Sequence, residues 1–271
     1  MLPDDSSLPI KVPVAETTVA AYRFVFGRLG HFLELAWLPL LILLAVATLP
    51  GWLPDAWLPD GKHPVLRALP GIAELVVGAF CLNAFAVRWQ QTALYGKQAP
   101  GKPFAAAWGR FMVYTLLLYI ANGTAIAIVL LVAAPAADSS AAQVGLSLLA
   151  LALTIPLWLA TVRLSLLFPA AADGRPTGFA AAWRGLRGNT WRLILAGFFC
   201  CAPLLLAALM IMGAVFSAID LQIGGDALDQ PPMGLFLMRG LIDTLVNFLV
   251  VAMGGTLLVD FYRRLVLAQE S

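Results

Sequence analysis

Charged side chains are scarce in this sequence. Asp, Glu, Lys and Arg make up 12% of the 271 residues, about half of the roughly 25% found in soluble domains. Several stretches of about 18 or more residues contain at most one of them, which is enough to cross a hydrocarbon core about 30 Å thick. This composition excludes an ordinary water-soluble domain. With 61% hydrophobic residues, it predicts an all-α membrane protein.

Histidine and cysteine are also rare, which excludes two kinds of site. The two histidines, His31 and His63, lie far apart in the chain, and no cluster of Cys and His has metal-ligand spacing. The three cysteines, Cys81, Cys200 and Cys201, fall within apolar stretches, so they do not form the disulfide framework of a small secreted domain. We expect no metal and no cofactor.

Signatures of common enzymes and of nucleic-acid binding are missing as well. The formal net charge is only +2, whereas nucleic-acid binding requires a clustered basic surface. Gly-x-Ser-x-Gly, His-Glu-x-x-His and Gly-x-Gly-x-x-Gly do not occur. Residues 96–102 match the start of a phosphate-binding loop, but Pro103 replaces the Ser or Thr that would hold magnesium. We therefore expect no nucleic-acid partner and no nucleotide site.

The apolar stretches define six predicted transmembrane helices. The N-terminus lacks the basic n-region of a cleaved signal peptide, so we expect the first span to be retained. Prolines at positions 39, 156 and 203 should bend three of the helices, which is tolerated where neighbouring groups satisfy the freed carbonyls. The predicted spans cover residues 32–49, 71–89, 111–134, 144–169, 193–217 and 238–260.

Basic residues are distributed unequally between the two sides of this six-span arrangement. Of the Lys and Arg residues, 14 fall on the side of the termini and 3 on the opposite side. By the positive-inside rule, this asymmetry predicts that both termini lie in the cytoplasm.

A short sequence element recurs before two of the spans. Residues 104–108 and 179–183 both read Phe-Ala-Ala-Ala-Trp, and a degenerate copy with Thr18 in place of Phe precedes the first span. The apolar residues recur at i, i+3, i+4 and i+7, the stripe of an amphipathic helix. The pattern predicts three units, each an interfacial helix followed by a transmembrane hairpin; chance similarity of Ala-rich sequence is the alternative. The predicted interfacial helices cover residues 14–30, 103–110 and 177–190.

Ionisable side chains at the edges of the spans supply the candidate binding residues, because such groups are costly in lipid and normally face the bundle or a wet cavity. One interpretation is that these groups form a path for a substrate or for protons. The other is that they are snorkelling side chains and ties between helices, and it is favoured because none of them reaches the bilayer centre. A spacing of four allows Asp260 to reach Arg264 and Arg239 to pair with Asp243. The candidates are Arg163, Asp260 and Arg264 on the side of the termini, and Glu74 and Asp243 on the opposite side.

One segment resembles a known family. Residues 163–192 contain Arg-Leu-Ser-Leu-Leu-Phe-Pro-Ala-Ala-Ala-Asp-Gly-Arg-Pro, then Phe-Ala-Ala-Ala-Trp-Arg-Gly and Asn-Thr-Trp-Arg. This pattern is similar to uncharacterised bacterial inner-membrane proteins and to the membrane domain that precedes some glycerophosphodiester phosphodiesterases. The resemblance implies a multi-helix bundle in the bacterial cytoplasmic membrane. It implies no reaction, because the soluble phosphodiesterase barrel has no counterpart in this sequence.

Three hypotheses for function follow from these patterns. Small loops and the lack of an active-site signature favour a non-enzymatic scaffold or accessory component, with the lipid bilayer and other membrane proteins as partners. The alternative is a carrier or binder of a lipid or another hydrophobic molecule, favoured by the repeat, the bent helices and Arg163 with Asp260. The third is an intramembrane enzyme that uses Glu74 and Asp243. A polar cavity between the spans would distinguish the binder from the scaffold.

Overall fold

The computed structural model describes residues 11–48, 64–96, 104–133, 140–175, 177–223 and 233–269, most of them helical. Six helices in these ranges are long and apolar enough to cross a membrane, which confirms the six-span prediction. Positions 49, 103 and 134, at the edges of predicted segments, lie outside the described residues. In chain order the helices are α1 (Val14–Phe26), α2 (Leu29–Thr48), α3 (Pro64–Tyr95), α4 (Phe104–Ala133), α5 (Ser140–Leu164), α6 (Leu167–Asp173), α7 (Phe179–Gly185), α8 (Thr190–Ile223) and α9 (Met233–Leu265), and the spans are α2, α3, α4, α5, α8 and α9.

Three of the other spans pack against α9, which contacts α1, α2, α3, α6 and α8. Helix α3 packs against α4, and α4 packs against α5. Helix α5 also contacts α7 and α8, and α2 packs against α3 and α9. Large apolar side chains on the spans remain uncovered; Leu209 and Met210 are 68% and 75% exposed. Such surfaces suit a lipid environment, because lipid tails are as apolar as the side chains they cover.

The buried core lies at the end of the bundle where the described N- and C-terminal segments meet. Trp89 on α3 is fully buried there, and its Nε1 donates to the carbonyl of Ala252 at 2.9 Å and to the hydroxyl of Thr256 at 3.0 Å. The rings of Phe32 and Phe85 pack on Trp89 with centroids 5.9 Å away. This aromatic cluster joins α2, α3 and α9. We call this part of the molecule the packed end.

A short buried helix, α6, lies between α3, α4 and α9 at the packed end. Residues 144–169 were predicted to form a single span, but α5 ends at Leu164 and a separate helix, α6, begins at Leu167. Pro169 lies in the first turn of α6, where its missing N–H has no helical partner to lose, and Gly174 ends the helix with φ of 80°. The apolar span over Ala152–Asp173 thus covers the predicted end at residue 169, but it contains the break between α5 and α6.

Helix α1 is joined to α8 next to Pro203, which lies inside α8. Pro203 has no N–H to donate to the carbonyl of Phe199, four residues earlier. The Tyr22 hydroxyl supplies a donor instead, to the carbonyl oxygens of Phe199 at 3.2 Å and Cys200 at 2.9 Å. Burial, and to a lesser degree the Cys200 thiol, raises the pKa of Tyr22, so the hydroxyl keeps the proton that it donates.

The three predicted repeat units differ in structure. Helices α1 and α7 are separate helices within predicted segments 14–30 and 177–190, whereas residues 104–110 form the first turns of α4 and not an independent helix. The Ala-rich, proline-free sequence continues directly into the span, because nothing in it interrupts helical hydrogen bonding. The predicted stripe is partly buried by protein. Its buried members are Ala107 and Phe111 in α4, and Ala182 and Leu186 in and after α7.

Candidate functional site

Arg163, near the C-terminal end of α5, lines a cleft between α5, α7 and α8. The cleft has a volume of about 480 Å³, within the range of about 300–1,000 Å³ that is typical of small-molecule sites. Trp183 from α7 and Thr190 and Trp191 from α8 form the other polar and aromatic walls. Trp183 and Trp191 are 41% and 67% exposed, so the cleft opens to the surface of the bundle.

The guanidinium of Arg163 is held in place by uncharged neighbours. Its Nε donates to the Thr190 hydroxyl at 3.3 Å, and its central carbon lies 4.8 Å from the ring centroid of Trp183, a cation–π contact. Within the described ranges, no carboxylate lies within ion-pair distance of Arg163. Because a guanidinium has five N–H donors, most of its donors remain available to an anion.

The local sequence explains how these groups come together. Arg163 is in the last turn of α5, where a cation interacts favourably with the helix dipole. Gly188, with φ of 82°, turns the chain between α7 and α8. The Thr190 hydroxyl also donates to the carbonyl of Leu186 at 3.2 Å, which fixes its position beside Arg163. Arg163 was predicted as a binding residue from the sequence, but its partners from α7 and α8 were not.

Asp260 and Arg264, the other candidates at the packed end, form a separate cluster. The Arg264 Nε donates to the Asp260 carboxylate at 3.0 Å, which confirms the predicted pairing, and its Nη2 donates to Glu16 on α1 at 2.7 Å. Asp260 lines a small cleft of about 120 Å³ with Arg263, apart from the residues around Arg163. The structure thus does not unite Arg163 with Asp260. The cluster joins α1 to α9.

Glu74 and Asp243, the candidates on the opposite side, do not form a carboxylate pair. Asp243 lies 3.7 Å from Arg239, in agreement with the predicted spacing, and both side chains are exposed. Glu74 instead lines another cleft with Thr244 and Asn247, between α2, α3, α4 and α9. The described contacts thus place Glu74 in the cleft and Asp243 beside Arg239.

Protein-family models, curated proteins and solved structures give no match to this chain. The resemblance of residues 163–192 to the membrane domain of glycerophosphodiester phosphodiesterases therefore stays a prediction. In the structure this segment runs from the end of α5 through α6 and α7 into α8, and it supplies Arg163, Trp183 and Thr190 to the larger cleft.

Two amides deep in the spans tie neighbouring helices together. The Asn83 side-chain oxygen on α3 accepts a hydrogen bond from Thr115 on α4 at 3.1 Å. The Asn122 amide on α4 donates to the Thr161 hydroxyl on α5 at 3.3 Å. These contacts support the interpretation that the deep polar groups are interhelical ties, because hydrogen bonds between helices stabilise association in lipid.

A buried carboxylate at the end of α6 was not among the predicted site residues. Asp173 is 2% exposed, accepts a hydrogen bond from the Tyr262 hydroxyl at 3.1 Å and lies 2.9 Å from Arg175. Its partners anchor α6 to α9, so we interpret it as structural. In the described part of the chain, no three His, Cys, Asp or Glu side chains are grouped as a metal site requires.

Proposed function

We propose that this multi-pass membrane protein is a non-enzymatic binder or carrier of an anionic lipid, and that the Arg163 cleft is the binding site. The observation that carries the proposal is a guanidinium with no carboxylate partner among the described residues, in an open cleft of about 480 Å³. A polar cleft between helices is the feature that separates a binder from a scaffold. The Arg163 cleft therefore favours the binder hypothesis over the scaffold hypothesis.

The cleft combines the groups that a phospholipid headgroup requires. A guanidinium binds phosphate oxygens through parallel N–H···O bonds. Tryptophan rings favour the boundary between hydrocarbon and water, so Trp183 and Trp191 suit a site at headgroup depth. The remaining wall includes Pro156, Leu159 and Ala160, an apolar surface along which an acyl chain can lie. The charged and apolar parts of the cleft thus match the two parts of a lipid.

The proposed location is the bacterial cytoplasmic membrane, with both termini in the cytoplasm. The excess of basic residues on the side of the termini supports this orientation, and the resemblance of residues 163–192 supports the compartment. In this orientation Arg163 lies in the cytoplasmic leaflet, and an anionic headgroup can reach it without crossing the bilayer.

Cysteine labelling tests the orientation. Cys81, Cys200 and Cys201 are first replaced with Ala, and Lys62→Cys or Lys97→Cys is then added singly. An impermeant thiol reagent applied to intact cells should label the cysteine at position 62 and not the one at position 97. The reverse pattern would contradict the proposed topology.

Native mass spectrometry of protein released from a mild detergent tests the binding site. We expect phosphatidylglycerol to be retained at a fixed stoichiometry, and Arg163→Gln and Trp183→Leu to weaken its binding by about tenfold or more. Arg239→Gln is the matched control, because it removes an exposed guanidinium from the opposite side of the bundle. Retention of phosphatidylglycerol by Arg163→Gln at the wild-type level, or heterogeneous lipid throughout, would contradict the proposal.

A scaffold or accessory component is the second candidate function. The ties formed by Asn83 and Asn122 favour it, because they use deep polar groups to fix helix positions. The same mass spectra distinguish the two functions. A partner protein subunit retained without a defined lipid would support the scaffold.

A further inference from the structure

A second cleft opens between α2, α3, α4 and α9, away from the packed end. Its volume is about 380 Å³, again within the range of about 300–1,000 Å³ for small-molecule sites. Its polar lining consists of Glu74, Tyr119, Thr244 and Asn247, and Leu43 is part of the apolar wall. None of these residues contributes to the Arg163 cleft, so the two sites are separate.

The polar groups of this cleft precede the packed end along α3 and α9. Glu74 precedes Arg88 on α3 by 14 positions, about 21 Å along a helix that rises 1.5 Å per residue. Asn247 precedes Asp260 on α9 by 13 positions, which corresponds to about 20 Å. Arg88 is next to Trp89 at the packed end, and Asp260 lies beyond Thr256, which Trp89 contacts, so the cleft lies toward the opposite end of the bundle.

The described residues that line the cleft include a carboxylate and no Lys, Arg or His. Glu74 contributes a carboxylate, and none of the Lys, Arg and His side chains that the structure describes forms an ion pair with it. The Thr244 hydroxyl donates its proton to the carbonyl of Gly240 at 2.6 Å, so its oxygen is left as an acceptor. The ring of Tyr119, 61% exposed, offers a face for a cation–π contact.

A carboxylate inside a span carries a large desolvation cost unless a cation or water compensates it. The apolar walls of the cleft favour a ligand that also carries hydrocarbon. We propose that this cleft binds a monovalent organic cation, namely a protonated amine or quaternary ammonium with an apolar substituent. The cation comes either from a free amphipathic amine or from the ammonium headgroup of a lipid. This second site goes beyond the anionic-lipid site and does not depend on it.

Equilibrium binding of tritiated benzyltrimethylammonium to the full-length protein in an uncharged detergent tests the proposal. We expect Glu74→Gln to weaken binding by about tenfold or more. Gly71→Leu should do the same by filling the cleft, because a Cβ at Gly71 would meet no atom within 4 Å and the fold should tolerate it. Asp243→Asn is the matched control; it removes an exposed carboxylate that pairs with Arg239 outside the cleft, and binding should stay within about twofold.

Neopentylbenzene, the uncharged carbon isostere of the probe, should not compete. Equal competition by this isostere, or unchanged binding by Glu74→Gln, would overturn the proposal. Nanodiscs with the same fraction of phosphatidylglycerol, and so the same surface charge, identify the source of the cation. Weaker probe binding when phosphatidylethanolamine replaces an uncharged lipid that has no ammonium group indicates a lipid headgroup, and equal binding indicates a free amine. The Arg163→Gln variant should bind the probe as the wild type does. A wrong proposal for the cation site is therefore distinguishable from a wrong proposal for the anionic-lipid site.

Discussion

Replacing Tyr22 with Phe should destabilise the protein by about 1–2 kcal/mol. A hydrogen bond contributes about 0.5–1.5 kcal/mol net, and a carbonyl left unsatisfied raises the cost toward about 1–3 kcal/mol. The bond to Phe199 is partly exposed, which places the expected value at the lower end. The substitution keeps the aromatic ring that stacks on Phe26 at 5.9 Å, so the hydroxyl is the only group removed.

Pro203→Ala tests the physical reason for this cost. An alanine N–H at position 203 can donate to the Phe199 carbonyl, which then no longer depends on Tyr22. In that background Tyr22→Phe should cost only the bond to Cys200, roughly 0.5–1 kcal/mol. The double-mutant cycle should therefore give a coupling energy of about 0.5–1 kcal/mol between positions 22 and 203.

The free energies of unfolding are measured by titration with sodium dodecyl sulfate in mixed micelles, followed by circular dichroism. Tyr114→Phe is the matched control, because it also keeps its ring contact, with Phe179 at 5.9 Å, and it should change stability by less than about 0.5 kcal/mol. An equal cost of Tyr22→Phe with and without Pro203 would refute the reasoning. So would an equal cost at positions 22 and 114.

Two further predictions use the same titration. Trp89→Ala should lower the free energy of unfolding by about 3–5 kcal/mol because it opens a cavity in the packed end. Trp89→Phe should lower it by about 1 kcal/mol because the hydrogen bonds to Ala252 and Thr256 are lost. Similar costs for both substitutions would contradict the packing argument. Asp173→Ala should cost about 1–3 kcal/mol because the buried Tyr262 hydroxyl loses its acceptor. Arg175→Ala should cost less than about 1 kcal/mol because this side chain is half exposed, and the opposite order would show that the ion pair dominates.

The six spans were predictable because length and apolar composition alone determine which helices can cross a membrane. Helix α6 was not, because hydropathy does not distinguish an apolar segment buried in protein from one that faces lipid. The signal that identifies it is local: Pro169 lies in the first turn and Gly174 follows the last residue, the usual asymmetry of a separate helix.

The candidate cleft was predictable only in part. Arg163 was selected because a charge at the edge of a span is costly and needs a reason. Its neighbours Trp183, Thr190 and Trp191 lie 20 to 28 positions later in the chain, and their approach depends on how α7 and α8 pack against α5. No sequence period encodes that packing. For the same reason, the sequence did not show that Asp260 and Arg163 lie in different clusters.

The position of α1 has a consequence for the biogenesis of the protein. This helix is synthesised before the six described spans, yet α8 and α9, against which it packs, follow the other four. Glu16 is separated from its partner Arg264 by 248 positions, and at about 5–20 residues per second their synthesis is roughly 12–50 s apart. Until then the apolar side of α1 has only the membrane surface to cover it. Docking of α1 against the hairpin of α8 and α9 can thus be completed only after both of these helices have been synthesised.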